Sequence, residues 1–323
     1  MAGLMLFFAQ IVAMFVTLLV LLGIAGFLVF AERRVLGLLQ NRLGPNRLGP
    51  LGVGQALADA LKLLCKEDFV PPFASGLLYR TAPILVAFSA LAGFAVLPLA
   101  PGISWAGDWE IGLLLILALS SLHVYGVFLG GWSSNNKFAL YGAIRAVAQL
   151  ISYELPMGLA LLALVLLAGS LALQGLGAAG QPVPLIVYQP LGFLIFFIAG
   201  IAETQRLPFD LAEAESELVA GYHTEYGGMR FGYFFLGEYL GLVLIAALIS
   251  LLYLGAWSGP WLPGWLWMLL KTGFVIGIFF WLRASLPRPR YDQLLHWGWN
   301  ALLPLAILNL LLTAIAAALW GTL

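Results

Sequence analysis

The sequence predicts an all-α polytopic membrane protein, with about eight transmembrane helices, one short amphipathic interfacial helix, and both termini on the outer, periplasmic side. Three observations carry this. Of 323 residues, 62% are hydrophobic and 9% charged, where ordinary globular chains carry about a quarter charged residues. Apolar runs long enough to cross a bilayer core of about 30 Å, which takes about 20 residues, recur along the whole chain. Outside the apolar runs, the basic residues fall in alternate loops only. Mean hydropathy is +0.99. This composition excludes a nucleic-acid-binding protein, an acidic-tail protein and a disordered chain. A single cysteine, Cys65, excludes a disulfide framework, an iron–sulfur cluster or a thiolate zinc site built by this chain alone.

The first predicted span runs from Leu4 to Ala31. It is too long for a signal-peptide core and lacks the flanking basic stretch and cleavage site, so it reads as structure. A first inner loop, 32–81, follows. Within it, Gly52 to Lys66 places Leu57, Leu61 and Leu64 at helical spacing, with Asp59, Lys62 and Lys66 on another face. This segment is too short to span; it suits the membrane interface or a small helix packed on a partner protein.

Further spans are predicted over Ala82–Ala100, Ile111–Trp132, Ala146–Leu173, Pro184–Ala202, Phe231–Trp257, Trp261–Leu282 and Leu295–Trp320. Three of the spans hold an ionisable acid or base: Glu154, Glu238 and Lys271. Such groups are costly at membrane depth and are functional candidates by default. Glu154 stands beside Pro156, which removes an interior hydrogen bond and can kink the helix next to the carboxylate. It reads as a proton-handling group or as the partner of Arg145. Lys271 reads as snorkelling to the outer face or as functional. His123 lies within a span, but a haem between two imidazoles would need a second histidine at matching depth, and none occurs.

Lys and Arg accumulate in loops that stay on the cytoplasmic side. The first loop holds Arg33, Arg34, Arg42, Arg47, Lys62, Lys66 and Arg80; the third Lys137 and Arg145; the fifth Arg206 and Arg230; the seventh Arg283, Arg288 and Arg290. That accounts for every base except Lys271, and places all long loops inside as parts of a single integral membrane domain, 1–323.

The fifth loop, 203–230, gathers Glu203, Asp210, Glu213, Glu215, Glu217 and Glu225. If Asp210 to Glu217 is helical, Asp210, Glu213 and Glu217 share a face, and like charges at that spacing repel. A solvated acidic surface helix is one reading. The surrounding Phe209, Leu211, Leu218, Val219, Tyr222 and Tyr226 favour another, in which carboxylates crowded in a partly dry pocket share protons. Gly175, Gly177 and Gly180 match G-x-G-x-x-G but follow a span rather than a strand, which argues against a dinucleotide site. No Ser-His-Asp or metal-ligand spacing stands out.

Three segments carry a resemblance: ERRVLGLLQNRLGPN from Glu32 to Asn46, GWSSNNKFALYGAIRA from Gly131 to Ala146, and ETQRLPFDLAEAESELVAGYHTEY from Glu203 to Tyr226. With these motifs the chain resembles the H-subunit family of bacterial NADH:quinone oxidoreductase (respiratory complex I), the counterpart of the first subunit of mitochondrial NADH dehydrogenase. The resemblance covers nearly the whole chain. It departs at Gln205, where the family often has Asn, and at Ala212, where it often has Pro.

The resemblance implies a subunit of the bacterial inner membrane, joined to other membrane-arm and peripheral-arm subunits and to lipid, that encloses much of a ubiquinone or menaquinone chamber. It implies a share in proton translocation, with no catalysis by this chain alone and no flavin, haem, iron–sulfur cluster or metal bound by it. On the matching positions it assigns Arg33, Arg34, Asp59 and Arg206 to the quinone entrance and chamber. Glu203, Asp210, Glu213, Glu215 and Glu217 border that chamber, and Glu154 and Glu238 lead inward. Phe231 and Tyr233 line the tunnel or simply pack. Competing readings are a relative in a quinone-independent membrane-bound hydrogenase or ferredoxin-linked complex, and a secondary transporter. The first fits the EAESELVAGYHTEY stretch poorly; the second predicts internal repeats that the halves do not show.

Overall fold

A computed structural model describes residues 2–101, 109–211 and 221–320, and all regular structure among them is helical. The helices are α1 (Ala2–Leu39), α2 (Gln55–Cys65), α3 (Gly76–Val96), α4 (Gly112–Ser133), α5 (Lys137–Ala168) and α6 (Leu173–Ala179). They continue as α7 (Leu185–Tyr188), α8 (Pro190–Glu203), α9 (Gly228–Leu252), α10 (Gly264–Ser285), α11 (Tyr291–Trp297) and α12 (Leu303–Trp320). Among the described residues, seven helical stretches are long and apolar enough to cross a membrane, and the 14-residue α8 is a shorter apolar helix. The chain is a multi-pass membrane protein.

Helix boundaries depart from the apolar runs where a local interaction outweighs hydropathy. α1 continues past Ala31 to Leu39, because Glu32, the first charge after the run, is paired inside the bundle. α5 starts at Lys137, capped by Asn136, whose Oδ1 accepts from the Phe138 amide at 2.9 Å. It then runs unbroken through Pro156 for 32 residues. The span predicted from Pro184 to Ala202 is split at Gln189 (φ −131, ψ 61), since the residue before a proline is pushed out of the helical region. α8 alone is about 21 Å long, short of the hydrocarbon thickness. Between α11 and α12 the turns widen to a π-helix over Gly298–Leu302, where Pro304 cannot donate to the carbonyl of Asn300.

The bundle centres on α9, which packs on α3, α10, α1, α2 and α8, while α5 packs on α4, α8 and α12. From Leu240 to Leu252, α9 is buried almost throughout, with Gly241 half-buried. Small residues bring the axes close, as membrane helices require. A Cβ at Gly126 or Gly237 would meet Val86 of α3 at 2.5 Å in either case. By contrast α2 buries no residue, and Leu57, Leu61 and Leu64 face away from the bundle.

Candidate functional site

The most strongly held charge in the described structure is Glu32, 2% exposed near the end of α1. Arg206 donates through Nη1 to both of its oxygens, at 3.0 and 3.3 Å. The Tyr239 hydroxyl donates to Oε2 at 2.6 Å, and Arg283 of α10 donates to Oε1. The Arg206 guanidinium also lies over the Tyr239 ring, 4.0 Å from its centroid. Four distant parts of the sequence thus meet on one carboxylate. Burying a lone ion is prohibitive, so each partner is held by the others.

Arg206 enters this cluster from a buried turn, 203–211, that continues α8. Gln149 of α5, fully buried, pins both ends of it, with Nε2 donating to the carbonyls of Ala202 at 2.9 Å and Phe209 at 2.8 Å. The Tyr153 and Phe209 rings meet at 5.4 Å, and Gln205 takes a positive φ of 52°. Glu203, Gln205, Arg206 and Asp210 are all buried in this turn.

From the same turn Glu203 and Gln205 point into a cavity of about 60 Å³ between α3, α4, α5, α8 and α9. Glu238 of α9 and Ser120 and His123 of α4 also line it. Its volume admits more than one water molecule but lies far below the roughly 300–1,000 Å³ of a small-molecule pocket. The Tyr222 hydroxyl donates to Glu238 Oε1 at 2.9 Å. Glu154 accepts at Oε1 from Ser120, which lines the cavity, at 3.1 Å and from Ser121 at 2.6 Å. The alternative partner, Arg145, instead lies over the Tyr291 ring at 5.7 Å. Glu203 and Glu238, far apart in sequence, therefore line one small and mostly apolar cavity, and Glu154 meets it through the Ser120 hydroxyl.

The remaining sequence candidates divide. Arg33 and Asp59 pair at 2.7 Å, with Gln55 donating to the other Asp59 oxygen at 3.0 Å, and Arg34 donates to the Leu51 carbonyl. These contacts tie α2 and the turn before it to the end of α1 on the molecular surface. Phe231 begins a file of rings along α9, at 5.7 Å from Phe235, which is 4.8 Å from Tyr239 of the charged cluster. Tyr233 is half-buried and lies off this file. Glu213, Glu215 and Glu217 lie outside the described residues, as does most of the helix expected from Asp210 to Glu217. The end of the acidic loop is fixed: Asn136 donates to Glu225 Oε1 at 2.7 Å and the Tyr79 hydroxyl to the Glu225 carbonyl at 2.6 Å. Burial pushes the Tyr226 phenol above its ordinary value, so it remains a donor at neutral pH.

Lys271 does not line the cavity. Its Nζ donates to the carbonyls of Leu254, Ala256 and Ser258 at 2.7, 3.0 and 2.8 Å, with Gly255 at 3.4 Å, and so clasps the turn after α9. Gly177 of the G-x-G-x-x-G match sits in the short α6, where an added Cβ would touch Leu251 and Trp257 at 3.0 Å, a packing role. Among the described residues no group of three or more His, Cys, Asp or Glu is placed to hold a metal ion.

Sequence reasoning gave no site role to Glu32, Gln149, Tyr222, Tyr239 or Arg283. Glu32 had a signal, as the first residue of the ERRVLGLLQNRLGPN motif, but it follows the apolar run and reads as a loop charge. Gln149 carried none, since a single amide in an apolar helix does not reveal what it will face.

Comparison with known proteins bears on the whole chain. A family model described as NADH dehydrogenase matches residues 11–314. The H 1 subunit of the NADH-quinone oxidoreductase of Geobacter metallireducens is 53% identical over 302 residues, covering 91% of this chain and 92% of that protein. The H 2 subunit of the Geobacter sulfurreducens enzyme is also 53% identical, over the same shares. The H 1 subunit of the Rhodopseudomonas palustris enzyme is 51% identical over 92% of this chain and 93% of its own length.

Proposed function

The chain belongs to the H-subunit family of NADH-quinone oxidoreductases, and on that premise we propose that it forms a wall of the quinone chamber and couples quinone reduction to proton translocation. It acts as one subunit of the oxidoreductase in the bacterial inner membrane, with neighbouring membrane-arm subunits, a peripheral arm that delivers electrons, and lipid around it. The names of the relatives, each of which includes the quinone, support this reading over a quinone-independent relative.

The observation that carries the proposal is the buried turn after α8. Arg206 within the turn belongs to the Glu32 cluster, and Glu203 at its start belongs to the cavity that Glu238 also lines and that Glu154 meets through Ser120. Reducing a quinone consumes two protons and changes the local charge. A charge change felt by Arg206 is felt one turn away by Glu203 in a low-dielectric interior. Coupled carboxylates convert such a change into proton uptake or release. The cavity has room for water but is too small for a quinone ring, so in this reading the quinone lies outside it. The ring file from Phe231 to Tyr239, with Arg33, Arg34 and Asp59 beyond it, suits an aromatic headgroup and its entrance, completed by residues of another chain. Asp210, Glu213, Glu215 and Glu217 extend the acidic border of that chamber.

Glu203→Gln keeps the shape of the side chain and removes its charge. In the assembled complex, in membrane vesicles, this variant should lower both NADH:quinone turnover and proton uptake. Wild-type rates in both assays would overturn the proposal.

A further inference from the structure

His123 is the one imidazole lining the intramembrane cavity, and none of the carboxylate roles above uses it. It stands three residues after Ser120 on α4, so the two side chains share a helix face. Ser120 donates to Glu154 Oε1, and both Ser120 and His123 line the cavity with Glu203 and Glu238. Among the described residues the His123 ring makes no hydrogen bond to protein. The ring is half-buried, and the cavity it lines offers room for water beside it.

We propose that His123 is a proton-carrying station between the Glu203 and Glu238 side of the cavity and Glu154. The inference rests on the coupling function above and adds a site to it. A proton leaving Glu203 or Glu238 passes through cavity water to the unprotonated ring nitrogen of His123. The imidazolium then releases the proton from its other nitrogen, through water or the Ser120 hydroxyl, to the Glu154 carboxylate. Each step moves one proton and restores the neutral ring. The facing groups suit such a station: Ser89 from α3, Glu154 through Ser120 from α5, Glu203 from α8, Glu238 with Tyr222 from α9 and the turn before it. No Lys or Arg is among the lining residues to oppose an imidazolium.

The test uses the intact complex in proteoliposomes and compares His123→Gln and His123→Ala with Glu154→Gln and Glu238→Gln. Glutamine preserves size and hydrogen bonding but cannot carry a proton at neutral pH. Proton pumping in both histidine variants should fall on the order of a hundredfold, the low end of what a positioned proton-transfer group contributes, and added imidazole should restore it in His123→Ala. If His123→Ala does not assemble, His123→Gln carries the test. Full pumping by His123→Gln overturns the proposal, as does a loss in His123→Ala that imidazole leaves unchanged. Impaired carboxylate variants beside normal histidine variants remove this inference alone. Normal pumping by Glu154→Gln and Glu238→Gln would remove the coupling reading itself.

Discussion

Glu32 illustrates how a single residue gains its role from partners that sequence does not place beside it. Its neighbours Arg33 and Arg34 turn outward to Asp59 and the Leu51 carbonyl, while its own partners come from positions 206, 239 and 283. Glu32→Gln would set two guanidiniums against a neutral amide. Breaking a buried pair in this way costs about 3–5 kcal/mol. The expected result is a lower thermal stability of the isolated complex together with loss of quinone reductase activity, measured by thermal shift and NADH:quinone turnover. Tyr239→Phe removes one hydrogen bond but keeps both ion pairs and the ring under Arg206, so it should cost about 0.5–1.5 kcal/mol and leave the complex assembled.

At the scale of elements, what decides the architecture is how each helix end is satisfied. α8 is too short to cross on its own, and Gln149 from α5 ties its C-terminal turn through two carbonyls. α10 uses Lys271 to hold the turn that follows α9, where four carbonyls gather at the end of a span. Lys271→Met should open that turn. A hydrogen bond to a charged group contributes about 1.5–3 kcal/mol, so amides from Leu254 to Ser258 should exchange faster with deuterium while the rate of quinone reduction stays near wild type. Gly142→Ala tests close approach in α5. An added Cβ would meet backbone atoms of Gly221 and Tyr222 at 2.7 Å, so the donor to Glu238 must shift. Proton pumping should fall, with assembly retained.

On the scale of the whole molecule, a few buried polar groups lie within an apolar shell. Residues facing outward from α1 and α12, such as Phe15, Leu19, Leu308 and Leu312, are exposed apolar side chains, as lipid contact requires. Inside, the turn after α8 joins the charged cluster, through Arg206, to the cavity, through Glu203. Orientation is open to direct measurement, because Cys65 is the single cysteine and is exposed on α2. A membrane-impermeant maleimide should label it in inside-out vesicles and not in right-side-out ones; the opposite result would invert the topology expected from the basic loops.

By itself the sequence determined the helical class, the approximate limits of the spans, and the family. Hydropathy and loop charge are local sums, and long motifs survive without knowledge of contacts. It also marked Glu154, Glu238, Glu203 and Arg206, because charge inside or beside an apolar run is conspicuous. Only the tertiary structure decided which charges belong together. Glu32 joined Arg206 and Arg283, Glu154 joined two serines in place of Arg145, Lys271 became a clasp, and His123 entered a cavity. These pairings span up to 251 positions in the chain. They are set by which helix faces meet when apolar surfaces close around costly polar groups, and no local pattern records that choice.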